Sequence, residues 1–406
     1  MRPPPAHSVT TAQLGAAFPF IGGIPGGSGP LLGVDRWSQP FRFDVFALYR
    51  HGALTNPNVA VFGQLGRGKS SMVKSWVRRL AAAGCRVWVL DPKGEYRRLA
   101  RALGATHIEL RPGGGMRLNP LQHPVHGLDQ AASLCAALAE TGLGRPLRPV
   151  ERAGLDGALA TAHPSSLVGV VGALLEGGAE VRPPGMGPEA WAAEGREMVL
   201  ELRRMVAGDL AGMFDGPTNQ GLDPGRRAVV VDLSAVYDTP ALAPVMVCAM
   251  AWMRSQLAGG AGGETPPTYL VLDEAWAVLA QLGAARWLRS SWKLARSMGL
   301  ANVAVLHRLS DLSASGPAGS EQTRLAEGLL ADTETRVLFG QSPDEARVAG
   351  ERLGLSPTEV AVLPRLPRGM ALWSVAGRSA VIRHVLDAED LAIVDTDHRM
   401  APGAAP

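Results

Sequence analysis

The 406-residue chain reads as an α/β protein with a mainly parallel sheet and an inserted helical stretch. Three observations carry that expectation. Short β-rich runs alternate with helical patterns in two blocks, the signature of crossover-connected parallel strands. A glycine-rich turn joins the first such strand to a helix, in NVAVFGQLGRGKSSMVK at residues 58–74. Between the blocks lie about a hundred residues of alanine- and leucine-rich helical sequence, broken by Pro-Gly clusters.

The turn satisfies G-x-x-x-x-G-K-[ST] through Gly63, Gly68, Lys69 and Ser70, with Gly66 inside it. Each part has a physical reason. Backbone N–H groups converge on phosphate oxygens only where no Cβ obstructs them, and the free donors of a helix N-terminus add their dipole. Gly63, Gln64, Leu65, Gly66, Arg67, Gly68, Lys69, Ser70 and Ser71 form the expected nucleotide cradle. Lys69 is expected on the β- and γ-phosphates, and Ser70 on Mg²⁺. A chance glycine turn before a helix is the bland alternative.

In chain order, residues 1–40 are rich in Pro and Gly and are expected as a flexible lead-in. Alternating apolar Phe41, Phe43 and Val45 suggest a hairpin strand. The helix after the turn is expected to reach about residue 83, before Gly84. RVWVLD gives a second parallel strand bounded by Pro92, with a helix from about Glu95 and a strand at 107–110 after it. The core is expected over 41–121 and 226–395, the helical subdomain over 122–225, and a disordered tail over 396–406. Further strands are expected at 226–234, 268–276, 301–307, 335–340, 371–375 and 380–385.

Hydrophobic residues make up 46% and charged residues 19%, as in a soluble globular chain, and a net charge of +3 is too small to imply a nucleic-acid partner. Only Lys69, Lys74, Lys93 and Lys293 are lysines among forty basic residues, and three of them cluster in or near the turn and the segment after the next strand. Either their geometry is needed there, or a coding bias toward arginine removed lysine elsewhere. Cys85, Cys135 and Cys248 show no metal-ligand spacing and read as reduced thiols. No signal peptide and no run long enough to span a bilayer are seen.

Phosphoryl transfer also needs a metal anchor and a group that orients water. Apolar residues 269–272 run into Asp273-Glu274, with Asp273 assigned to the metal and Glu274 to the general base. The competing reading is a carboxylate pair capping the next helix. His307-Arg308 ends a later strand, either as a polar sensor facing the γ-phosphate or as a surface loop. Arg286, Arg289, Lys293 and Arg296 share a helix face. Such a stripe is a solvated face, a subunit interface presenting an arginine, or a contact for a phosphate backbone.

With these residues in hand the chain resembles the HerA–FtsK superfamily of motors, and more closely the motor domain of the VirB-type conjugative ATPases of type IV secretion systems, in an actinobacterial form. NPNVAVFGQLGRGKS, VWVLDPKGEY, LNPL, VVVDLS and LVLDEAW carry the resemblance in the family's order, over roughly residues 41–385. DPKGEY is the discriminating motif. The resemblance implies a RecA-like P-loop NTPase core with a helical insertion, ATP hydrolysis with Mg²⁺, and a hexameric homo-oligomer with sites between subunits. Lys69, Ser70, Asp273 and Glu274 match its two nucleotide motifs, and Arg296 lies where related motors place an arginine acting across the interface. His307 stands where the family usually has Gln, and relatives often carry an N-terminal channel-docking domain, where about forty residues precede the core here. The expected function is Mg-dependent ATP hydrolysis powering conjugative DNA transfer or type IV secretion. A DNA-pumping translocase or helicase, and a nucleotide-gated assembly protein with poor hydrolysis, are the alternatives. Expected partners are further copies of the chain, DNA and secretion-channel components, in the cytoplasm and at the inner face of the membrane through those partners.

Overall fold

A computed structural model describes residues 27–122, 127–161, 165–219, 226–258, 266–295, 298–310 and 321–394. Eleven strands of these residues form one sheet: β1 Leu31–Asp35, β2 Pro40–Arg42, β3 Val59–Phe62, β4 Arg86–Asp91, β5 Thr106–Glu109, β6 Ala228–Asp232, β7 Thr268–Leu272, β8 Leu300–Leu306, β9 Thr335–Phe339, β10 Met370–Val375 and β11 Arg378–His384. Their order is β2-β1-β11-β10-β9-β3-β8-β7-β4-β6-β5. From β9 to β5 the neighbours run parallel, whereas β9-β10-β11-β1-β2 is an antiparallel flank.

The central parallel strands are mainly apolar because both faces are covered. Every residue of β3, β6, β7 and β8 is buried. One face, through Val59, Val61, Val89 and Val271, meets the helix Lys69–Ala82 at Val73, Trp76 and Leu80. Trp76 packs edge-on against Phe43 and Tyr269, with ring centroids 5.7 Å apart in both pairs. On the other face, Phe62, Trp88, Leu90 and Leu272 share a continuous core with the helices Leu242–Ala258, Leu282–Leu294 and Leu128–Leu143. The helical stretch between β5 and β6, which also holds Pro149–Thr161, Leu167–Glu176, Pro188–Glu194 and Arg196–Ala207, therefore packs onto the sheet without a separate core.

Three elements differ from the sequence expectation. The strand expected over 268–276 ends at Leu272, because the chain turns at Asp273-Glu274 and Trp276 opens the helix Trp276–Leu279. Leu31–Asp35, within the stretch expected as a flexible lead-in, is a strand paired antiparallel to β11 and β2. Its short apolar run finds an open sheet edge, which the local Pro-Gly content conceals. The hairpin strand expected through Val45 stops at Arg42, because Asp44 caps the helix Val45–Arg50 by accepting from Phe46 N at 2.9 Å. The expected tail at 396–406 and residues 1–26 of the lead-in lie outside the described residues.

Candidate nucleotide site

The cradle is built by strand β3, a six-residue turn and the helix Lys69–Ala82. Gly66 and Gly68 hold φ of +74° and +101°, so glycine is required for the turn to deliver its amides to one centre. A Cβ at Gly63 would lie 2.5 Å from Cβ of Phe339, which closes that position to any side chain. The turn rests on neighbouring strand ends. Gly63 N donates to His307 O at 3.2 Å, and Gly369 N donates to Arg67 O at 3.0 Å. Leu65 projects outward, 76% exposed, while Gln64, Ser70 and Ser71 are half-buried.

Lys69 is buried and folds back over the turn, donating to Gln64 O at 3.0 Å and to Gly63 O. Burial lowers its pKa to about 8, against the raising influence of Asp273 and Glu274. The amine therefore lies near enough to both carboxylates of the second motif for their charge to act on it.

Asp273 and Glu274 follow β7 directly. The loop is pinned where Asp273 N donates to Leu90 O at 3.2 Å and Glu274 N to Asp273 Oδ1 at 3.0 Å. Desolvation, then Glu274, Asp91 and Glu95, raise the Asp273 pKa to about 6. No ion pair engages Asp273 among the described residues, so a buried carboxylate is left available for a cation. No cluster of three or more His, Cys, Asp or Glu that could cage a metal occurs among the described residues. Mg²⁺ keeps waters and phosphate oxygens and takes only one or two protein ligands, so a site for it needs no such cluster. Ser70 and Asp273 are the residues that would hold it.

Glu274 adopts φ of +53°, a left-handed conformation that costs a non-glycine residue about 1–3 kcal/mol. Three side chains hold its carboxylate there. Nε2 of His307 lies 2.8 Å from Oε2, Lys93 Nζ 2.5 Å from Oε1, and Trp276 Nε1 donates to Oε2. Burial alone would raise the Glu274 pKa, but the hydrogen bonds from His307 and Lys93 reverse the sign and lower it to about 2. Capping of the next helix is not what this pair does: Trp276–Leu279 has Ala275 at its N-cap and no side-chain cap.

His307 directly follows β8, which lies between β3 and β7, so one residue touches both motifs. Its carbonyl holds Gly63 and its ring holds Glu274. Nδ1 is buried without a partner among the described residues. Arg296 lies outside the described residues. Of the stripe that includes it, Arg286 is bound to Glu140 at 3.0 Å and to Glu321 at 2.7 Å, so its charge is already answered within the chain.

The sequence reading missed the part played by the segment after β4. Asp91 is fully buried and accepts backbone N–H groups from Lys93, Glu95 and Tyr96 at 3.2, 3.1 and 2.8 Å. That turn delivers Lys93 to Glu274. It also brings Glu95 within 3.2 Å of the buried Lys74 on the cradle's helix. The clustered lysines were the available signal, without a partner to assign them.

A glycine turn opening a helix at a buried lysine, paired carboxylates after a neighbouring strand and a parallel sheet with one strand interposed between the two define a RecA-like P-loop NTPase fold. Residues 52–146 match the family model described as Helicase HerA, central domain. Among solved structures, VirB4 of Thermoanaerobacter pseudethanolicus is similar over 91% of this chain and 100% of its own, with 22% identity and a TM-score of 0.73. The bacterial conjugative coupling protein TrwBdeltaN70 is similar over 92% of this chain and 90% of its own, at 17% identity and a TM-score of 0.61. The plasmid coupling protein TrwB in complex with ADP and Mg²⁺ covers 90% of this chain and 97% of its own, at 16% identity and a TM-score of 0.59. No curated protein matches the chain. The fold is thus the one shared by VirB4 and TrwB, and no helix of the described residues is long and apolar enough to cross a membrane.

Proposed function

We propose that the chain is a Mg-dependent ATPase that powers conjugative DNA transfer or type IV secretion as an oligomeric motor. The observation that carries this reading is the buried Lys69 amine, folded over the turn onto the Gly63 and Gln64 carbonyls at the N-terminus of the helix Lys69–Ala82, with Asp273 and Glu274 near enough to oppose the lowering of its pKa by burial. A lysine held this way is primed to take on anionic phosphate in place of the Gly63 and Gln64 carbonyls. In the same reading, amides of the turn from Gly63 to Ser71 bind phosphate oxygens, and Ser70 and Asp273 hold Mg²⁺. When bound, the ion neutralises charge developing on the transferred phosphoryl group. Glu274, ionised and fixed by Lys93 and His307, orients the attacking water. Likeness of fold to VirB4 and to the coupling protein TrwB supports the link to conjugation and secretion. In the same reading the motor acts in the cytoplasm, at the membrane through partners, with Arg296 completing a neighbour's site. The match to a helicase-type model over residues 52–146 favours DNA pumping as a second reading.

Turnover of ATP with Mg²⁺, measured with and without single- and double-stranded DNA, tests the proposal. Wild type hydrolyses ATP and sediments as an oligomer, Lys69→Ala is inactive, and Glu274→Gln binds nucleotide without turning it over. Normal turnover in Lys69→Ala would sink the assignment. Stimulation by DNA favours pumping of DNA, and indifference favours a protein-transfer machine.

A further inference from the structure

A second site is built where the helices Leu128–Leu143, Leu242–Ala258 and Leu282–Leu294 meet around a cavity of about 330 Å³. None of the residues assigned above to the nucleotide site lines it. Arg254 does, and its situation is unusual. The side chain is only 6% exposed, yet no carboxylate pairs with it among the described residues. One guanidinium nitrogen donates to Ser291 Oγ, another points at Met298 Sδ from 3.8 Å, and the buried Nε has no partner. An arginine has five N–H donors, and a buried cation left with so few acceptors is costly unless an anion joins it. Burial accordingly lowers its pKa to about 10.

The rest of the lining describes the anion. The guanidinium stacks over Trp287, 5.5 Å from the ring centroid, and Leu121 and Leu134 add apolar wall. Asp129, exposed, lines the same cavity and repels a doubly charged phosphate about twice as strongly as a monocarboxylate at the same distance. A volume near the lower end of ligand pockets suits a small molecule or one side chain. We propose that this cavity binds a monocarboxylate, its oxygens pairing with the Arg254 guanidinium and its apolar body lying against Trp287. Either a free small carboxylate or an acidic side chain of a peptide offers that chemistry.

Titration of the full chain with sodium benzoate, at ionic strength held constant with chloride, tests the site by melting temperature and ligand-observed NMR. Acetyl-Leu-Glu-Leu-amide and inorganic phosphate serve as the other arms. Benzoate, the peptide or both are expected to bind and raise the melting temperature, and Arg254→Met is expected to weaken binding by about tenfold or more. Tighter binding of the peptide assigns the site to a protein segment, and tighter binding of benzoate to a free ligand. Should Arg254→Met fail to fold, Ser290→Phe, at the exposed rim, narrows the mouth and must also weaken binding. Absence of carboxylate binding to wild type, undiminished binding in the folded variants, or equally tight binding of phosphate would overturn the proposal.

Discussion

Lys93 Nζ and Nε2 of His307 reach the same buried carboxylate, that of Glu274, from two different strand ends. Without them, burial would push Glu274 toward its neutral form. A general base must be ionised, so Lys93→Met is expected to raise the Glu274 pKa and to lower turnover most in acid. The ratio of ATP turnover at about pH 5.5 to that at about pH 8 should fall below the wild-type ratio. Equal ratios in variant and wild type would show that Lys93 does not keep the carboxylate charged.

Lys69 supplies a second pH dependence with the opposite chemistry. In the nucleotide-free chain its pKa is lowered to about 8, chiefly by burial. Phosphate favours the charged amine, so ATP binding should take up a proton above about pH 8 and weaken as pH rises further. Calorimetry in two buffers of different ionisation heat measures the uptake, which Lys69→Met should abolish. The same depression has a stability consequence. Between about 8 and the ordinary lysine value the unfolded chain binds more protons, so this group's contribution to the stability of the nucleotide-free chain rises with pH across that window.

The cradle and the paired carboxylates were legible because their chemistry fixes residue type and spacing along one stretch of chain. Gly63, Gly68, Lys69, Asp273 and Glu274 needed no tertiary knowledge. Lys93 was visible as a scarce lysine, yet its contact with Glu274 depends on β7 lying beside β4, a pairing no local pattern encodes. The incorporation of Leu31–Asp35 has the same origin, since its partner β11 comes more than three hundred residues later. The arginine stripe was readable as one helix face, but the carboxylates that answer Arg286 lie on two other helices.

Arg286 is therefore expected to act on stability rather than on DNA. Glu140 is 3% exposed and also accepts from Leu147 N at 3.1 Å and from Arg152 at 3.2 Å. Arg286→Gln removes its second cation and should destabilise by about 1–2 kcal/mol, with Glu140→Gln in the same chain restoring part of the loss. Thermal unfolding of both singles and the double measures the coupling. A fall in DNA-stimulated turnover with unchanged unfolding temperature would instead identify a nucleic-acid contact.

The helical stretch is held by a tryptophan seated among glycines, and this gives a prediction whose sign runs against local propensity. Trp191 is 3% exposed and its Nε1 donates to Leu174 O at 3.1 Å, which fixes the ring. A Cβ at Gly154 would lie 2.0 Å from Cη2 of that ring, and one at Gly177 would lie 2.7 Å from Cδ1. Gly154 sits within the helix Pro149–Thr161, where alanine is ordinarily favoured over glycine by about 1 kcal/mol. The overlap is with a fixed ring rather than a flexible chain end, so Gly154→Ala should destabilise, by about 1–3 kcal/mol net. Adding Trp191→Phe removes the part of the ring that the new methyl meets. The double variant should then be less destabilised than the two single effects added together, as measured by denaturant unfolding. Additive losses would mean that the ring moves aside freely, and a stabilised Gly154→Ala would mean that helix propensity outweighs the close packing at this contact.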